Sequence, residues 1–267
     1  MYRDDIFEPA FIEDRLAEFS DQIERRLAGE LTEAEFEPLR LRNGVHLQPH
    51  SYMLCIAVPH GTLDARQLRR LAHVARTYDR GYGHFTALGD IQFQWPSLSD
   101  VPAMLADLAT VGLYARDLDE TRTDGVAGEN ATIRWPPDHV PVTITLKTVG
   151  GTSGDISDGQ MEAVAELAER YGSGEIRITG DQALVLPHIA RADLEVVHET
   201  LAEIGLEAAD ASLVPGIDPE QIVAVDAVIE TYLSIRNDHS ERFLDVYRRV
   251  GPAPFKEALH GTETRVA

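Results

Sequence analysis

A chain of 267 residues, 43% of them hydrophobic, is long enough to bury a substantial core as one large domain or two small ones. Lys and Arg number 24 against 45 Asp and Glu, and the resulting formal charge of −21 repels phosphate backbones, which disfavours nucleic acid as a partner. A single cysteine, Cys55, excludes a disulfide framework within the chain and any four-thiolate zinc or iron–sulfur site built from it alone. No apolar run approaches the roughly 18 residues that span a bilayer. The opening MYRDDIFEPAF lacks a basic stretch followed by an apolar one, so the expectation is a soluble cytoplasmic protein without a membrane segment. The acidic balance reads as solubility, with a docking surface for a basic redox partner as the sharper alternative.

In chain order, residues 1 to about 36 read as helical and strongly charged (FIEDRLAEFSDQIERRLAGELTEAEF). SYMLCIAV, from Ser51, is a strand candidate. A Gly-containing loop leads to an amphipathic helix at residues 65–78, in which Leu68, Leu71, Ala72 and Ala75 fall at helical spacing behind an N-cap at Asp64. HFTALGDIQFQWP follows as strand, Gly-Asp turn and strand, and SLSDVPAMLADLATVGL as a closing helix. Residues 114–139 form a link holding the loop-like TDGVAGEN and RWPPDH. A second series then starts with the strand VPVTITLK from Val140. After the Gly-rich TVGGTSGD comes a helix at residues 158–171, with Met161, Val164, Ala165 and Ala168 on one face and Ser157 as N-cap. RITGDQALVLPHI is the second hairpin, and ARADLEVVHETLAEIGL the second closing helix. SLVPGIDPEQ breaks the chain, and Asp218-Pro219 starts a final helix ended by Gly251 and Pro252.

The second series repeats the first. With an offset of 93 and no gap, residues 63–113 lie over residues 156–206: Gln67 meets Gln160, Ala72 meets Ala165, Tyr78 meets Tyr171, Gly81 meets Gly174 and Thr86 meets Thr179. Upstream, Gly61 meets Gly154. Strand, helix, strand, strand, helix is the order of a split βαβ, or ferredoxin-like, unit. A unit of about 60 residues has little core of its own. The predicted fold is therefore α+β: two ferredoxin-like half-domains side by side, sheet edge to sheet edge, as a pseudo-two-fold pair. The expected boundaries are an N-terminal helical arm (1–40), the first half-domain (41–113), a linker (114–139), the second half-domain (140–210) and a C-terminal helical segment (211–267).

Several stretches carry a resemblance over nearly the whole chain. DDIFEPAFIEDRLAEF, EPLRLRNGVHLQPHSYMLCIAVPHGTLDARQLRRLAHVARTYDRGYGHFT, GEIRITGDQALVLPH and ETYLSIRNDHSERFLDVYRRVGPAPFKEAL are similar to the bacterial sulfite/nitrite reductase hemoproteins. The resemblance implies paired ferredoxin-like half-domains, a siroheme bridged to a [4Fe–4S] cluster, and six-electron reduction of sulfite or nitrite. Most of the functional residues it would bring do not carry over. A cluster needs four thiolates, and Cys55 stands alone. The family's Thr-x-Arg-Gln-Asn turn, aimed at an anionic macrocycle that needs cationic forks, is here Thr86-Ala87-Leu88-Gly89-Asp90. The strand pattern Met-Leu-Arg becomes Met53-Leu54-Cys55. The second turn, Thr179-Gly180-Asp181-Gln182, keeps Gln182 in the family's Gln position, and Lys147 and Arg122 stand near places where the family has basic groups.

The candidate cofactor-binding residues are accordingly Lys147, Gln182, Arg122 and His188, the last as an axial ligand to a heme, with no catalytic or metal-binding residue assigned. Other signals are weaker. Cys55 among Met53, Leu54 and Ile56 reads as a buried thiol. His46 and His50 are interrupted by Gln48-Pro49. TVGGTSGD lacks the tail of a phosphate-binding loop. Three functions follow. The favoured one is a non-catalytic relative of the reductases, a scaffold or interaction module for a full-length reductase or an electron-transfer protein, with no [4Fe–4S] cluster expected. The second is an oxidoreductase still binding siroheme or heme between the repeats. The third is a protein that binds small anions or tetrapyrroles.

Overall fold

The computed structural model describes residues 9–115, 138–146, 153–210, 231–236 and 243–255. The chain forms two compact units, Met1–Ala211 and Ser212–Ala267.

The first unit begins with α1 (Pro9–Leu27) and α2 (Glu33–Arg42), so the expected helical arm is two helices and reaches past residue 40. The break between them is coded locally. Gly29 takes a φ of 79°, and Thr32 starts α2 with a capping box: its hydroxyl accepts from Glu35 N at 3.3 Å while Glu35 Oε2 accepts from Thr32 N at 2.9 Å. Those bonds from Thr32 hold the Glu35 carboxyl below its ordinary range. The two helices meet through stacked Phe19 and Phe36, 6.3 Å between ring centroids. Arg40, 4% exposed, ties α2 to the first strand: its Nε lies 2.9 Å from Glu33 Oε1 and its Nη1 donates to Val45 O.

The strands and helices that follow are β1 (Val45–Leu47), β2 (Tyr52–Ala57), β3 (Thr62–Asp64), α3 (Ala65–Tyr78), β4 (Tyr82–Phe85), β5 (Ile91–Phe93), α4 (Val101–Ala109) and β6 (Tyr114–Ala115). The second series is β7 (His139–Thr145), β8 (Asp155–Ser157), α5 (Asp158–Tyr171), β9 (Glu175–Ile178), β10 (Leu184–Ala190), α6 (Leu194–Glu203) and β11 (Glu207–Asp210). Both repeats thus end on a further strand, completing βαββαβ: β6 lies beside β2 as β11 lies beside β7. Among the described residues there are two antiparallel sheets, ordered β1-β2-β5-β4-β8 with β6 also on β2, and β11-β7-β10-β9-β3.

That order replaces the expected joining of sheet edges with a reciprocal exchange. β3 belongs to the first repeat by sequence but pairs with β9 of the second, Thr62 opposite Arg177 and Asp64 opposite Glu175. β8 belongs to the second repeat but pairs with β4 of the first, Tyr82 opposite Ser157 and His84 opposite Asp155. Two equivalent backbone bonds close the crossings: Ala65 N donates to Gly174 O at 3.0 Å, and Asp158 N to Gly81 O at 2.9 Å.

The helices α3 and α5 start and run as the sequence predicts, because a capping box and a 3.6-residue apolar period agree in each. Asp64 caps α3 with Gln67, and Ser157 caps α5 with Gln160; caps of this kind contribute about 1 kcal/mol. The same glutamines hold the far end of the closing helix: Gln67 Nε2 donates to Val111 O at 3.1 Å and Gln160 Nε2 to Ile204 O at 3.0 Å. Leu68, Leu71, Ala72, Ala75, Met161, Val164, Ala165 and Ala168 are all buried in one core with Leu54, Ile56, Phe85, Ile91 and Phe93 from the first sheet and Ile144, Ile178, Leu184 and Leu186 from the second.

One irregularity in the second sheet falls where two residues of β10, one of them Pro187, face Pro141 of β7; neither proline has an N–H to give to the ladder. On β10, Leu186 pairs with Val142 and Ile189 with Val140, so Pro187 and His188 bulge out opposite Pro141, with His188 at a φ of 63°.

In the second unit, α7 (Phe243–Val250) is closed by Gly251 at a φ of 73°, whose N–H bonds to Tyr247 O. Residues 231–235 are helical but Arg236 is not, so the expected final helix is interrupted there. Phe243 packs on Phe255 with ring centroids 5.3 Å apart. Among the described residues no helix is long and apolar enough to cross a membrane.

Candidate functional site

The two hairpin turns, residues 86–90 and 179–183, are built the same way. Thr86 N donates to Asp90 O and Gly89 N to Thr86 O, both at 2.9 Å; Thr179 N donates to Ala183 O at 2.9 Å and Gln182 N to Thr179 O at 3.0 Å. Each Thr hydroxyl folds back onto the turn, accepting from Asp90 N at 3.2 Å in one and from Ala183 N at 3.1 Å in the other. The geometry requires a left-handed residue near the end of the turn. Gly89 supplies it at φ 78°; in the second turn it is Gln182, at φ 64°. A side chain in that region costs roughly 1–2 kcal/mol.

What offsets this strain is where the Gln182 amide goes. Its Nε2 donates to Phe85 O of the first repeat at 3.0 Å and lies 3.3 Å from His84 Nε2. The Phe85 carbonyl can only accept, so the amide must present NH2 here, and His84 Nε2 must accept its second hydrogen. On the other side of the ring, His84 Nδ1–H donates to Asp155 Oδ1 at 2.8 Å. Gly154, beside Asp155, closes the seam: its carbonyl accepts from Phe85 N at 2.8 Å, and a Cβ on it would lie 2.3 Å from Phe85 O. The set His84, Phe85, Gly154, Asp155 and Gln182 joins the repeats at the strand crossing.

His84 also stands in a longer row. Cys55 on β2, Gln92 on β5, His84 on β4 and Asp155 on β8 are successive cross-strand partners. They alternate with the core residues Leu54, Ile91, Phe85 and Ile156, so the row lies on the sheet face opposite the core. Amides continue along that face: Gln94 Nε2 donates to Gln92 Oε1 at 3.1 Å, and Gln48 Nε2 to Gln94 Oε1 at 2.9 Å. Cys55 itself is 0% exposed. The matching row of the second sheet is Thr143, Val185, Arg177 and Thr62, with Arg177 ion-paired to Glu175.

Of the four residues singled out in the sequence, Gln182 is at this seam. His188 is not: it sits inside β10 on the bulge, and the intervening strand separates it from Gln182 by roughly 15–20 Å. Lys147 and Arg122 lie outside the described residues. Sequence reasoning missed His84, Gly154 and Asp155. The repeat alignment held a usable signal, since His84 falls over Arg177 and Asp155 over Thr62, two polar departures from the apolar match.

The donors of the first-sheet row do not match what the cofactors implied by the resemblance call for, while Arg177 stands on the matching row of the second sheet and Lys147 and Arg122 lie outside the described residues. A siroheme's carboxylates call for Arg or Lys forks. The row on the first sheet contains no Lys or Arg and includes the Asp155 carboxylate, while at the first turn Leu88 is 55% exposed. A [4Fe–4S] cluster needs four thiolates, and the chain has one, buried in β2.

Residues 45–111 and 142–204 each match the family Nitrite/Sulfite reductase ferredoxin-like half domain. A solved structure of the Mycobacterium tuberculosis NirA protein is similar over 75% of this chain and 70% of its own, at 14% sequence identity and a TM-score of 0.48. No curated protein sequence matches the chain.

Proposed function

We propose, from the premise that this chain belongs to the nitrite/sulfite reductase ferredoxin-like half-domain family, that it works as a non-catalytic binding or assembly module, its partner a full-length reductase or an electron-transfer protein. The observation that carries this reading is the donor set: one buried cysteine, and a seam whose polar side chains bond to each other. Gln182 gives one amide hydrogen to Phe85 O and its other faces His84, while Asp155 holds the opposite side of the ring. Side chains engaged this way hold two repeats in register, a scaffold's task. A catalyst of this family would instead aim cations and thiolates at a cofactor.

The test is an absorption spectrum of the purified chain after expression with siroheme supply, recorded between about 350 and 650 nm, where tetrapyrroles and thiolate-ligated clusters absorb. The expected result is a colourless protein that gains no Soret band on titration with siroheme and turns over no sulfite. A bound siroheme with sulfite turnover would overturn the reading. A band without turnover would move it to tetrapyrrole binding.

A further inference from the structure

We infer that the charges on α3 and α5 make each half-domain select the other, so that the chain closes on itself rather than pairing like halves. α3 and α5 pack side by side about the pseudo-two-fold axis. That axis is fixed by equivalent contacts, Ala65 N to Gly174 O against Asp158 N to Gly81 O. In the repeat alignment Arg69 falls over Glu162, and Arg76 over Glu169. At these two equivalent positions the sign of the charge is inverted.

The inverted residues meet. Arg69 Nη1 is 2.6 Å from Glu169 Oε1, and the symmetry-equivalent contact, Arg76 Nη2 to Glu162 Oε1, is 3.3 Å. Arg76 Nε also reaches Asp158 Oδ2 at 2.6 Å, and Arg69 Nε lies 3.8 Å from Glu162 Oε2. Consistently, the hydrogen bond from Arg69 holds the Glu169 carboxyl below its ordinary range, and Glu169 raises Arg69. Two first halves placed about the same axis would set Arg69 against Arg76 twice. Two second halves would set Glu162 against Glu169 twice. Both like-with-like pairings put equal charges at ion-pair distance, and only the unlike pairing satisfies all four side chains. An edge that lends out β3 or β8 can recruit a strand from another copy, and this charge code directs it to the right half.

The experiment uses the full-length chain. In an Asp158→Asn background, because Asp158 also reaches Arg76, Arg69→Glu/Arg76→Glu sets acid against acid at both contacts, Glu162→Arg/Glu169→Arg sets base against base, and the four-fold swap restores attraction with its polarity exchanged. The neutral pair Arg69→Gln/Arg76→Gln removes attraction without adding repulsion. At low salt each double reversal is expected to lower Tm by about 5 °C, more than the neutral pair does, with the difference shrinking as salt screens it. The four-fold swap is expected to recover most of the loss, and to fold even where the double reversals do not. The inference is overturned if reversal costs no more than neutralisation, or if the four-fold swap is no more stable than either double reversal.

Discussion

Gln182 occupies a backbone conformation that its counterpart Gly89 reaches without a Cβ in the way. Its two amide contacts to the first repeat, each contributing about 1 kcal/mol net, offset that strain. Gln182→Ala keeps the strain and loses both contacts, so it is expected to destabilise by about 2 kcal/mol. Gln182→Gly loses the same contacts but relieves the strain, and should be more stable than the Ala variant by about 1 kcal/mol. Urea unfolding of the three proteins decides this, and an Ala variant at least as stable as the Gly variant would refute the account. Gln182 could be picked out in the sequence because its turn resembles a reductase turn. His84 and Asp155 were not: the repeat alignment marks them as polar departures but not as neighbours, because they meet only through a strand three residues long, too short to carry any period.

Elements with both a cap and a period were legible to the residue, as α3 and α5 show. The break between α1 and α2 was not read, although Thr32 and Glu35 spell a capping box, because a charged run on either side hides it. The bulge at Pro141 and Pro187 was also passed over: the strands were recognised, but the missing N–H groups act only through the strand pairing. The end of α3 adds a pH dependence. Asp79 Oδ2 accepts from Trp95 N at 3.1 Å and Oδ1 from Arg80 N at 2.6 Å, while the Arg80 guanidinium stacks 3.7 Å from the Trp95 ring centre. Burial raises the Asp79 carboxyl above its ordinary range, against the pull of those backbone bonds. A raised acid binds its proton more tightly when folded, so its contribution is most favourable below the ordinary carboxylate range and is lost as pH rises through the folded value. The stability of the wild type minus that of Asp79→Asn should therefore fall as pH rises above the ordinary carboxylate range of about 4. Unfolding free energies across that rise check it, and a flat or rising difference would refute it.

At the scale of the first unit, composition and repeat analysis gave the α+β class and the two ferredoxin-like halves, but not their interlocking. Sequence similarity assigns β3 and β8 to the repeats that encode them; hydrogen bonding assigns each to the other. A single cooperative transition is expected for residues 9–210, with amides of α3 and α5 losing hydrogen-exchange protection at one denaturant concentration. Gly154→Ala probes the crossing directly. A methyl 2.3 Å from Phe85 O, at a φ of 91°, should cost about 3 kcal/mol or more and lower the protection of both helices together. Loss confined to α5 would show that the halves unfold separately.

The lent strands also bear on ancestry. Once a duplicated module has handed an edge to its twin and received one in return, neither copy can be trimmed away without stripping the survivor of part of its own sheet. The doubled framework is kept whole or not at all, because the fabric is woven from both lengths of chain at once.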